Sequence, residues 1–185
     1  MIVLVAVGAV GWRLLHPPVG PATLSNIGGP GARSTSGGPF DVGDIYAAGP
    51  GWLSNTGTSA IDHITVRFQP PLHLPESGTP GAAYAVDQRN PAGGWGAGPW
   101  SAVLEQYGST LMPLDTVSLA PGQTIGLIVQ VRAVRPGDTI WPGVDVIYRY
   151  QGHMYTVSNS AGQQICVPKT NTCDPRTQRD GTYPG

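Results

Sequence analysis

Charge is the scarcest property of this chain. Only 11% of its 185 residues are charged, and the formal net charge is −1. No basic field exists to hold nucleic acid or an anionic membrane surface, so neither is expected as a partner. Glutamate occurs only at Glu76 and Glu105, and nothing in the aspartate spacing selects a carboxylate pair for acid–base work. Phosphate-loop, HExxH and GxSxG runs are missing. The glycines around Gly94-Trp95-Gly96-Ala97-Gly98 lie between Pro91 and Pro99 without a strand-to-helix context. Serine, histidine and aspartate are scattered without a nucleophile–base pattern. The chain is therefore read as not an enzyme, with no cofactor.

A long apolar run is also lacking. Met1–Val10 is apolar, but Arg13 and Pro17-Pro18 end the stretch well short of the about 20 residues a membrane helix needs. Its length suits the apolar region of a signal peptide, although the basic n-region is missing. Residues 1–18 are read as a signal peptide or membrane anchor, 19–40 as a flexible Gly/Pro/Ser linker with Ala22–Ile27 a candidate first edge strand, 41–168 as one β-sandwich domain, and 169–185 as a polar tail. The expected location is secreted or extracytoplasmic, with membrane contact only through the N-terminal segment.

What the chain has in quantity is punctuation: 27 Gly and 19 Pro. At that density helices break and strands stay short. Trp100–Tyr107 is the one soft helical candidate. Between the breaks the period is two. In Thr124–Arg132, Ile125, Leu127, Val129 and Val131 alternate with polar residues, and Ile128 is the one exception. In Ser59–Phe68, Ile64, Val66 and Phe68 share a side. Val144, Val146, Tyr148 and Tyr150 share another, and Gln151-Gly152 turns the chain into His153–Val157. That turn sets Tyr150 opposite His153, Tyr148 opposite Tyr155 and Val146 opposite Val157. Ile45–Ser54, broken by Gly49-Pro50-Gly51, is expected to pair with Ser59–Phe68 as an early hairpin, with Trp52 in the core. Further strands are expected at Ala82–Val86, within Leu111–Leu119, and at Gln163–Val167 as a last edge strand.

Candidate sites are few. Gln69–Ser109 is long, irregular and rich in proline, and it holds Trp95 and Trp100. It is the first place to look for binding, and equally a cover whose indoles plug one sheet. His153, Met154 and Met112, with His63 and His73, are ligand types that copper accepts, without clustered spacing. Cys166 and Cys173 are separated by six residues; in an exported chain a local disulfide is favoured over free thiols, and a metal site would need ligands that are not nearby.

The Asn55-Thr56-Gly57 turn after a Tyr/Trp-bearing strand, the Leu119-Ala120-Pro121-Gly122-Gln123-Thr124 entry, and the Tyr148-Arg149-Tyr150 … Tyr155-Thr156-Val157 hairpin together resemble the immunoglobulin-like and fibronectin-like β-sandwiches of bacterial envelope proteins. They are also similar to small actinobacterial secreted domains of unknown function. The resemblance covers Asp41–Val167 and implies an all-β, antiparallel immunoglobulin-like β-sandwich with long Pro/Gly-rich loops. The cysteines do not occupy the antibody-domain positions. The implied role is a non-catalytic extracytoplasmic module, structural or binding an envelope protein partner. The alternative is an extracytoplasmic small-molecule or copper binder.

Overall fold

The computed structural model describes residues 20–25, 35–72, 76–87, 97–160, 162–170 and 173. In chain order these form β1 (Ala22–Ser25), β2 (Thr35–Pro39), β3 (Ile45–Asn55), β4 (Ile61–Phe68), β5 (Gly78–Asp87) and β6 (Ala97–Pro99). Helix α1 (Trp100–Tyr107), β7 (Met112–Pro113) and a 3₁₀ turn at Leu114–Thr116 follow. The chain then runs through β8 (Thr124–Ala133), β9 (Gly137–Trp141), β10 (Val144–Tyr150), β11 (His153–Asn159) and β12 (Gly162–Val167).

The strands make two facing layers. One is a sheet ordered β1-β3-β8-β5-β7, with β6 also on β3. Facing it are two three-stranded sheets, β11-β10-β4 and β2-β12-β9. The first core lies between the large sheet and β11-β10-β4, where Leu53, Ile61, Ile64, Leu127, Val146 and Tyr148 are buried. The second lies toward β2-β12-β9, around Tyr46, Phe68, Val131, Trp141 and Ile165. The fold is thus an all-β sandwich, antiparallel throughout except for β2 and β12, which pair in parallel.

β8 is the centre of the large sheet, between β3 and β5. Ile125, Leu127, Val129 and Val131 enter the two cores. Ile128, the exception to the alternation, is buried on the opposite face with Ala47 and Val86, under Val103 and Tyr107 of α1. The helix is therefore a cap on the outer face of the sheet, and Ile128 is the side chain it covers.

The β10–β11 hairpin has the register its turn dictates: Tyr150 faces His153, Tyr148 faces Tyr155 and Val146 faces Val157. Gln151 and Gly152 have φ of 49° and 81°, the left-handed pair of a type I′ turn.

Several expectations from sequence are corrected. Within 19–40 the candidate edge strand is present as β1 on β3, but 35–39, read as linker, is built into the fold as β2 on β12. β3 and β4 form no hairpin; they belong to different layers, because the turn after Asn55 carries the chain across the sandwich. The Gly49-Pro50-Gly51 break is a bulge inside one continuous strand, where the register with β8 shifts between Ala48 and Gly51. Gly51 sits there at φ 134°, and a Cβ on it would fall 2.2 Å from the carbonyl oxygen of Ser25. Trp52 is only half-buried, its ring over Gly126 on the outer face. Within Leu111–Leu119 only Met112–Pro113 is strand, and the rest turns. β12 is no edge strand: it lies between β2 and β9, and all six of its residues are buried.

Candidate protein interface

The outer face of β11-β10-β4 is built from the side chains that alternation turns away from the core. β10 presents Asp145, Ile147 and Arg149. Their cross-strand neighbours are Ser158, Thr156 and Met154 on β11 and Arg67, Thr65 and Asp62 on β4. The charges pair within each row. Arg149 donates to both Asp62 oxygens, from Nε at 2.8 Å and Nη2 at 2.9 Å. Asp145 accepts from Arg67 Nη2 at 3.1 Å, Gln69 Nε2 at 3.2 Å and Ser158 Oγ at 2.8 Å. The Arg149 hydrogen bonds hold the Asp62 carboxyl below its ordinary range. At Asp145 partial burial pushes the pKa up, but the hydrogen bonds from Ser158, Gln69 and Arg67 together carry it below the usual value. Such exposed pairs contribute little stability. Their effect is to fix a flat face with its charges in known places.

The edges of the sheets differ sharply. An open edge displays unpaired N–H and C=O groups, and proteins blunt it with charge, proline, bulges or brevity. β1, β6 and β7 have four, three and two residues. β5 carries Pro80 and a register shift. β4 carries Asp62, Arg67 and a bulge with His63 at φ 50°, and Ile61 is bridged by Leu119. β9 has Asp138 and is followed by Pro142; β2 has two glycines and Pro39. β11 has none of these devices. His-Met-Tyr-Thr-Val-Ser-Asn lacks proline, glycine, lysine, arginine and acid, and its register with β10 is unbroken over seven residues. Tyr150 and His153 flank a two-residue turn and share a hydrogen-bonded pair. Alternation then aims the backbone groups of Met154, Thr156 and Ser158 away from β10, toward the edge that no described strand pairs with.

The residues singled out from sequence are placed as follows. Trp100 opens α1, half-buried, its ring tilted against Tyr84 with centroids 5.3 Å apart, and packs on the patch around Ile128. Trp95 and His73 lie outside the described residues. Met112 is on β7 at one margin of the large sheet, whereas His153 and Met154 begin β11, which packs near β1 at the other margin. The copper set is therefore not brought together, because its members sit on opposite sides of the sandwich. His63 is exposed, with Nδ1 3.4 Å from Asp62. Among the described residues no group of three His, Cys, Asp or Glu side chains could hold a metal ion. Cys166 and Cys173 form a disulfide with Cα atoms 5.6 Å apart, fastening residue 173 to the buried β12.

Two open clefts accompany these features. One, of about 570 Å³, lies where Asp87, Met112, Thr116 and Gln123 meet. The other, of about 540 Å³, is floored by Trp141 and flanked by Arg67, Glu76 and Asp145. In the second, Arg67 and Asp145 are already paired. Sequence reasoning missed the β11 edge. The signal was present in its composition, seven strand residues without a gatekeeper, but an edge is recognised only once pairing order is known.

No family model matches this chain, and no curated protein matches it. Among solved structures it is similar to the Vibrio cholerae VesB protease, at 13% identity and a TM-score of 0.38, over 85% of this chain and 34% of the protease. It is also similar to the ASH/PapD-like domain 7 of human CEP192, at 13% identity and a TM-score of 0.39, over 82% of this chain and 89% of that domain. The chain thus spans about a third of the protease. At these scores the likenesses carry no argument about function, and the class, an all-β sandwich with one disulfide, rests on the strands and pairings described above.

Proposed function

We propose that this chain is a non-catalytic extracytoplasmic module that binds protein along the β11 edge. The observation that carries the reading is the contrast among edges: β11 alone, among the described strands, is long, regular and free of every device that discourages pairing. Added strands bind to such an edge through main-chain hydrogen bonds, with alternate side chains setting specificity. The disulfide supports an oxidising compartment. No helix among the described residues is long and apolar enough to cross a membrane.

The test is site-specific photocrosslinking of the full-length chain in producing cells, with a benzophenone amino acid at position 156 and, in parallel, at position 65 on β4. Adducts with protein are expected from position 156, in the extracytoplasmic fraction, and few from position 65. Equal yields from both positions, or none from 156, would overturn the reading.

A further inference from the structure

The open edge has a partner that it fits by its own symmetry. We infer that β11 pairs antiparallel with β11 of a second copy of this chain, about a two-fold axis through Thr156. The inference rests on the protein-binding reading above and names the partner.

Three backbone positions face outward: Met154, Thr156 and Ser158. In an antiparallel pair, residues with outward groups must meet one another in hydrogen-bonded pairs. Placing Thr156 opposite Thr156 of the copy also places Met154 opposite Ser158, so all three outward positions are used on both strands. A shift by two residues in either direction brings a turn or strand-end residue into the ladder and leaves an outward group unpaired. The Thr156 register further sets Tyr155 against Val157 on the inner face. Both are half-buried against the first core in the single chain, and an aromatic residue opposite a β-branched one is a favourable cross-strand pair.

The charges agree with this register. Reading across the outer face, one row runs Asp62, Arg149, Met154, and then, in the copy, Ser158, Asp145, Arg67. The order of signs is minus, plus, two neutral residues, minus, plus. Arg149 of one copy and Asp145 of the other would lie about 14 Å apart, three strand spacings, with opposite signs. The central row, Thr65, Ile147, Thr156 and its mirror, carries no charge. Nothing along the joint places like charges together. The joint is small beside a standard interface of about 1,600 Å², so the dimer is weak and concentration-dependent.

The inference is tested by sedimentation of the full-length chain over a concentration series, with Thr156→Lys, Thr156→Glu and Thr65→Lys variants. Thr156 is exposed, so both substitutions leave the monomer folded, as circular dichroism checks. Wild type and Thr65→Lys are expected to show the same monomer–dimer equilibrium. Thr156→Lys alone and Thr156→Glu alone are expected to lose at least tenfold in association, because like charges face each other across the axis. An equimolar mixture of the two is expected to recover it. A wild-type chain that stays monomeric at every concentration, a dimer indifferent to Thr156→Lys, or a mixture that associates no better than its components would overturn the inference. Photoadducts at position 156 to a different protein, with no self-association, would sink it while leaving the binding module in place.

Discussion

Replacing Trp141 with alanine is expected to lower stability by about 3–5 kcal/mol, the loss typical of a large aromatic removed from a core. Trp141 is 2% exposed, the largest fully buried side chain in the protein's described part. Its ring leans on Phe68 with centroids 5.2 Å apart. A Cβ on Gly78 would come within 2.9 Å of it, so the indole lies directly against the backbone of β5. β9, which carries it, pairs among the described strands with β12 alone, and the cavity left behind would span the contact between the two layers. Against a total stability of about 5–15 kcal/mol, that is a large share. The melting temperature should fall by roughly 6–20 °C. Trp52→Ala is the matched comparison. Its ring is only half-buried on the outer face, so a much smaller loss is expected. Equal losses at the two positions in thermal or urea unfolding would mean that the second core is misplaced.

The second large effect is a loss of stability in alkali. Burial raises the pKa of the hydroxyls of Tyr46, Tyr107 and Tyr148, and most strongly that of Tyr46, which is fully buried. An unfolded tyrosine ionises near pH 10. Below that value both states keep the proton, and the stabilising difference is fully present. As pH rises past about 10, the unfolded chain releases protons that the folded chain retains, so unfolding gains with every unit until the folded pKa is reached. One strongly shifted group supplies at most about 1.4 kcal/mol per pH unit. Tyr150, half-buried and hydrogen-bonded by Thr58, shifts the opposite way and offsets a little of this. Urea midpoints should therefore be flat from neutral pH to about 10 and then fall. The Tyr46 hydroxyl has no hydrogen-bond partner among the described residues. Tyr46→Phe should thus cost nothing at pH 7, since it removes a buried unpaired group, and should make the alkaline fall shallower. An unchanged slope in this variant would contradict the burial assigned to Tyr46.

How much of this was legible in the sequence depends on the range of the interaction. The β10–β11 register was, because a two-residue turn fixes it locally and both strands alternate in phase. β8 was too, down to its exception: Ile128 broke the pattern because α1 covers that face, although the sequence could not say what did the covering. Pairing order was not legible. Ile45–Ser54 and Ser59–Phe68 are neighbours in sequence with a turn between them, and local chemistry favours a hairpin. The crossing between layers is decided by which faces bury together, which no single strand reveals. β12 illustrates the same point. Gln163–Val167 read as a last edge strand, yet the parallel partner that makes it central comes from 35–39, a stretch whose glycines and proline read as linker. The disulfide was legible on the reading of an exported chain, because the two cysteines stand close in sequence with no metal ligands beside them. The β11 edge was not, since its significance lies in the blunting of the other edges.

The account stands on β11 being a regular strand, paired on one side and open on the other. Residue-resolved hydrogen exchange on the dilute wild-type chain measures this directly. Slow exchange is expected at Tyr155 and Val157, whose amides bond to β10, and fast exchange at Met154, Thr156 and Ser158 between them. Protection of all five amides at high dilution would mean that the edge is already covered within one chain, and rapid exchange of all five that the hairpin is not formed; either result contradicts the account.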